Sequence, residues 1–150
     1  MGQNPCGAST GSAVGLSAGF SPLAIGTEVD GSLVQPTARA GLYALKSSIG
    51  STELKGVFAV SEDFDSLGAM AKSSHDLALL AEIILTPEAR AKLPSDGYLS
   101  FLKKSLVGLN IGFADPALWT WPENLQPQHG NSAEQLVSLS YAAKWNASFL

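Results

Sequence analysis

An α/β fold, a mixed sheet flanked by helices, is what this sequence predicts, on three observations. Short apolar runs closed by glycine or proline alternate with stretches of helical periodicity, the pattern of strands and helices in layers. Hydrophobic residues make up 45% of the 150 and charged residues only 15%, which favours a well-buried core over disorder. Nine of the fifteen glycines fall within residues 1–50, where close packing and tight turns are therefore expected.

The first helix is expected over the small-residue stretch Ser12–Gly19. Pro22-Leu23-Ala24-Ile25-Gly26 reads as a buried strand, Gly26 to Ser32 as a tight turn, and Gly41 to Lys46 as the next strand. Residues 51–72 read as irregular, with Val57-Phe58-Ala59-Val60 as a possible strand. Ser73 and Asp76 have the Ser-x-x-Asp spacing of a capping box, and Leu77, Leu80, Ala81 and Ile84 fall on one face of the helix that follows. Pro87 and Pro94 mark a breaker region. Beyond it come an expected short helix over 99–106, a strand over 107–113, a Trp/Pro-rich loop over 119–128 and a last helix over 133–145.

Composition also excludes function classes. A net charge of −4 and scattered Lys and Arg leave no footprint for nucleic acid. No run approaches the roughly 20 apolar residues of a membrane span. A lone Cys6 cannot form an internal disulfide, and the N-terminus has no basic region or apolar signal core, so the cytoplasm is the expected location. Two histidines and one cysteine argue against a metal site, and the Gly26–Ser32 stretch lacks the lysine of a phosphate-binding loop, so no cofactor is expected. His75, between Ser74 and Asp76 at a helix start, reads as solvated, and Trp119 and Trp121 read as core-edge packing. Gly7-Ala8-Ser9-Thr10-Gly11 matches the five-residue nucleophile elbow, but Met1 to Cys6 is not the apolar strand that an elbow needs before it.

Two segments carry the chemistry. Asn4-Pro5-Cys6-Gly7-Ala8-Ser9-Thr10-Gly11-Ser12-Ala13-Val14 is followed by Pro22-Leu23-Ala24-Ile25-Gly26-Thr27-Glu28-Val29-Asp30-Gly31-Ser32, then by Gln35-Pro36 and Gly41-Leu42-Tyr43-Ala44-Leu45-Lys46. Together they resemble the amidase signature family, whose members read Gly-Gly-Ser-Ser-Gly-Gly-Ser, an Ala-rich helix, then Gly-Thr-Asp-x-Gly-Gly-Ser. Phe64-Asp65-Ser66-Leu67-Gly68 and His75-Asp76 continue the resemblance, which covers about residues 4–85 and is closest in style to fungal members. It implies one partial amidase domain over 1–150 that lacks both ends of the full domain.

The resemblance implies hydrolysis of a carboxamide C–N bond through a Ser–Ser–Lys relay, the bridging serine held by a cis peptide. It places the nucleophile at Ser32 and the oxyanion hole at the backbone N–H groups of Val29, Asp30, Gly31 and Ser32. Twenty-four residues before Ser32, where the family carries the bridging serine, stands Ala8. Six residues precede Gly7 and none is the relay lysine; Lys46 matches a structural lysine. Ser9 is the nearest hydroxyl that could substitute. Asp30 and Glu28 replace the more usual Gly and Asp, and Val34 stands where many relatives carry Arg. A truncated, weak or inactive amidase is the first expectation, with a small amide as substrate. A non-catalytic scaffold fragment that self-associates or pairs with another chain is the second.

Overall fold

The computed structural model describes residues 7–102. Its centre is a three-stranded sheet made of β1 (Leu23–Glu28), β2 (Tyr43–Lys46) and β3 (Ser66–Ala71), in the order β1-β3-β2. Both pairings are antiparallel, with Leu23 opposite Ala71 on one side and Tyr43 opposite Ala71 on the other. The parallel pairing of the expected mixed sheet is therefore not found among the described residues. β1 and β2 run the same way with β3 between them.

Helices cover both faces, as expected for α/β. Cross-strand partners share a face, so Ala24, Met70 and Ala44 form one row. That row packs under α1 (Thr10–Ser17) and α2 (Val34–Arg39) in a cluster with Ala13, Leu16 and Leu33. The alternate residues Leu23, Ala69 and Leu45 face α3 (Ser74–Ile83), where they meet Leu80, Ala81, Leu77 and Ile84. A 3-10 turn over Gly97–Phe101 adds Tyr98 to that side.

The central strand corrects the expectation that residues 51–72 are irregular. Ser66-Leu67-Gly68-Ala69-Met70-Ala71 has no β-branched or aromatic residue, so strand propensity is low. Pairing on both edges and cover on both faces override it. Close packing requires glycine at position 68: a Cβ there would lie 2.6 Å from the Leu45 carbonyl oxygen and 2.5 Å from Leu33 Cδ1. The possible strand over Val57–Val60 does not form. Its Val60 and Ser61 N–H groups donate instead to the Asp65 carboxylate, at 2.5 and 3.0 Å, and Phe58 and Val60 point into solvent.

The α1 helix runs as expected, two residues earlier than the sequence suggests, and ends at Gly19, whose φ of 84° lets the Phe20 N–H reach the Gly15 carbonyl. The α2 helix is an addition to the sequence reading, because Pro36 falls inside it. It sits in the first turn, where a missing N–H is harmless. Gly41, at φ 68°, closes α2, with the Leu42 N–H on the Thr37 carbonyl. The α3 helix begins as the capping spacing requires: the Ser73 hydroxyl accepts from the Asp76 N–H at 3.1 Å. The breaker region holds one more short helix, α4 (Pro87–Arg90), with Pro87 in its first turn and the Thr86 hydroxyl accepting from the Ala89 N–H at 3.2 Å. Of the helix expected over 99–106, the described part is the 3-10 turn; the rest, and the features expected over 107–145, lie outside the described residues.

Candidate active site

The site forms where β1 runs out. Ser9, at the head of α1, has its N–H on the Ser32 carbonyl at 3.0 Å, which ties the two glycine-rich segments together. Gly7 makes that approach possible. A Cβ on it would stand 2.9 Å from the Ser32 carbonyl oxygen and 2.7 Å from Pro36 Cδ, and its φ of 106° disfavours any other residue.

Ser9 is buried, and its hydroxyl is fully engaged. It donates to the Thr27 carbonyl and accepts from the Thr27 N–H, both at 3.1 Å. In an antiparallel pair the N–H and C=O of one residue point to the same side. The hydroxyl thus stands in for a neighbouring strand at one rung of β1's outer edge. Sitting at the N-cap position of α1, it makes no cap bond to that helix. What Ser9 presents to Ser32 is a backbone N–H.

Beyond Glu28 the chain turns through Val29, Asp30, Gly31 and Ser32 into α2, and Gly31 takes the left-handed step at φ 75°. Among the described residues, the backbone N–H groups of Val29, Asp30, Gly31 and Ser32 donate to no acceptor. Val29 and Asp30 are exposed, Gly31 is buried and Ser32 is half-buried. The Ser32 hydroxyl has no hydrogen-bond partner among the described residues. Ala8, one residue before Ser9, is exposed and brings a methyl where a relay would need a hydroxyl. Peptide bonds among the described residues are all trans.

Under the turn lies a residue to which the sequence alone assigns no role. Glu28 is 6% exposed, and its Oε2 accepts from the N–H groups of both Leu33 and Val34 at 2.8 Å. A carboxylate five residues before the first free N–H groups of a helix is the available signal.

Other candidates fall elsewhere. His75 lies exposed on the first turn of α3, its Nδ1 3.8 Å from Asp76 Oδ1. Among the described residues, no group of three His, Cys, Asp or Glu side chains comes together. No helix among them is long and apolar enough to cross a membrane. The second histidine, His129, lies outside the described residues, as do Trp119, Trp121 and Cys6.

The sequence that folds into this glycine-rich helix head and Gly-Ser turn matches the amidase family model over residues 2–142. The chain belongs to the amidase family. Among relatives, it is 37% identical over 111 residues to a glutamyl-tRNA(Gln) amidotransferase subunit of Deinococcus radiodurans, a match covering 72% of this chain and 23% of that one. Among solved structures, it resembles the peptide amidase of Stenotrophomonas maltophilia, with TM-score 0.53 and 35% identity over 63% of this chain and 20% of that one. An amidase family protein from Bacillus anthracis superposes at TM-score 0.54, with 36% identity over 55% of this chain and 16% of that one. The chain thus spans less than a quarter of the length of the curated relative it matches. Both solved structures share the α/β amidase framework to which this sheet and its helices belong.

Proposed function

We propose that this chain carries the nucleophile and oxyanion-binding part of an amide-hydrolysing site, with Ser32 as nucleophile and Ala8 leaving its turnover weak or nil. One observation carries the reading. An unpartnered, half-buried serine hydroxyl stands at the end of a turn whose four successive N–H groups, Val29 to Ser32, find no acceptor among the described residues. Ser32 Oγ would attack the carbonyl carbon of a small carboxamide. The developing oxyanion would take N–H groups from this turn. Breaking the C–N bond would release the amine, which takes up the proton lost from the Ser32 hydroxyl, and water would then free the acyl group as the acid and return a proton to Ser32 Oγ. The chemistry so written calls on no cofactor.

What the reaction needs and these residues do not supply is a base. No titratable side chain among the described residues hydrogen-bonds the Ser32 hydroxyl, and Ala8 stands where the family's bridging serine belongs. Triad members act as a unit, so loss of one costs orders of magnitude. We read Ser9 as a fastener, because its one proton is given to the Thr27 carbonyl.

The test is fluorophosphonate labelling of the 150-residue chain, with Ser32→Ala as control. Slow labelling that vanishes in Ser32→Ala is the expected result. Fast labelling of the parent would overturn the claim of weak turnover, and labelling that survives Ser32→Ala would overturn the nucleophile.

The second reading, a non-catalytic fragment that associates with itself or with another chain, is favoured by a separate observation. Phe20, Phe58 and Val60 are each more than four-fifths exposed, large apolar side chains that a partner would cover. Sedimentation across a concentration series tests it; a monomer at all concentrations removes self-association.

A further inference from the structure

The turn that carries Ser32 is held from beneath. Its two ends are the tail of β1 and the head of α2, and α2 receives no cap from its own N-cap residue, Leu33. The first N–H groups of such a helix would be orphaned. Glu28 meets both, since one carboxylate oxygen, Oε2, takes the Leu33 and Val34 N–H groups at 2.8 Å each. The same residue ends β1 in register with Ser66 of the central strand. A rigid sheet thereby reaches, through one buried side chain, across the turn to the helix beyond it.

The geometry of this closure matters for what the turn leaves open. With Leu33 and Val34 served by the carboxylate, the N–H groups of Val29 to Ser32 are the ones left without an acceptor among the described residues. The Ser32 carbonyl is fixed from the other side by the Ser9 N–H, so the peptide after Ser32 is held on two sides. We propose that Glu28 is a positioning residue: its carboxylate spans the turn and sets the orientation of the Val29–Ser32 N–H groups and of the Ser32 hydroxyl. This deepens the reading of Ser32 as nucleophile and rests on it only where labelling is concerned. Length matters too: on the same backbone a side chain one methylene shorter is expected to fall short of both N–H groups, which Glu28 reaches at 2.8 Å.

Three variants of the full chain test the proposal: Glu28→Gln, Glu28→Asp and Glu28→Ala. Their amide resonances and hydrogen exchange are followed by NMR beside their melting curves. Glu28→Gln keeps an acceptor of the same reach and is expected to retain the parent's Val29–Val34 resonances. Glu28→Asp and Glu28→Ala are expected to shift the Val29–Ser32 amides and to speed exchange at Leu33 and Val34, while resonances of Ser74–Ile83 in α3 stay in place. Fluorophosphonate kinetics then separate positioning from bulk stability. Below every variant's melting range, the first-order labelling step should fall about 100-fold in Glu28→Ala, the scale of a roughly 1 Å misplacement, while the saturation constant for the probe is unchanged. Unmoved Val29–Ser32 resonances in Glu28→Ala would overturn the proposal, whether or not the parent labels. So would displacement of α3 together with the turn, which would mark Glu28 as a general stabiliser. A parent that does not label at all bears on the activation of Ser32 and not on Glu28, whose role the NMR result then decides.

Discussion

Gly68 and Gly15 separate two uses of the same residue. At Gly68 an added methyl would meet the Leu45 carbonyl oxygen at 2.6 Å, backbone that cannot step aside. Gly68→Ala is therefore expected to cost about 2–3 kcal/mol by overpacking. Gly15, in the last turns of α1, has nothing within 4 Å of its would-be Cβ. Gly15→Ala should stabilise by about 0.5–1 kcal/mol through helix propensity alone. Chemical denaturation of the two variants beside the parent checks both signs. Ser9→Ala probes a third kind of residue. It strands the Thr27 N–H and carbonyl, both now satisfied by one hydroxyl, and should cost about 1–3 kcal/mol. The same denaturation curves measure it, and a neutral outcome would mean that water serves the edge of β1 equally well.

At the scale of elements, helix starts are where side chains settle what the backbone leaves open. The Ser73 hydroxyl accepts from the Asp76 N–H and also donates to the Asp76 carboxylate at 2.7 Å, so cap and first turn are tied twice. Ser73→Ala should lower stability by about 1 kcal/mol, and the loss should be visible as faster amide exchange in the first turn of α3. The head of α2 solves the same problem from a distance, through Glu28. A local cap can be read from four consecutive residues. A cap thrown across a turn cannot, because the same spacing in sequence fits many conformations of the intervening residues.

For the whole molecule, β3 is the element on which both faces depend. Met70, fully buried, packs under α1 and α2, while its neighbour Ala69 packs under α3. Loss of one face therefore removes the floor of the other, and residues 7–102 are expected to unfold as one cooperative unit. Met70→Ala should cost about 2–5 kcal/mol. Amide signals from α1 and α3 should disappear together in this variant, at one denaturant concentration, as they should in the parent. Separate midpoints for the two helices would show that the sheet does not couple them.

Much of this molecule follows from local sequence alone. The Ser73 capping spacing, the apolar face of Leu77, Leu80 and Ala81, the strand through Leu23–Gly26 and the turn at Gly31-Ser32 each rest on rules that act within a few residues, and the signature that marks the amidase family lies within two continuous segments. Tertiary structure alone decided the rest. Ser66–Ala71 became the central strand because neighbours on both edges and helices on both faces outweigh weak propensity. Ser9, a nearby hydroxyl in the linear motif, was turned toward Thr27 by the meeting of α1 with β1. Glu28, in the linear motif only a glutamate in place of the more usual aspartate, became the support of the turn once its carboxylate was buried against two backbone N–H groups. Residue type sets what a side chain is able to bond, but only the packed fold sets which partner it reaches.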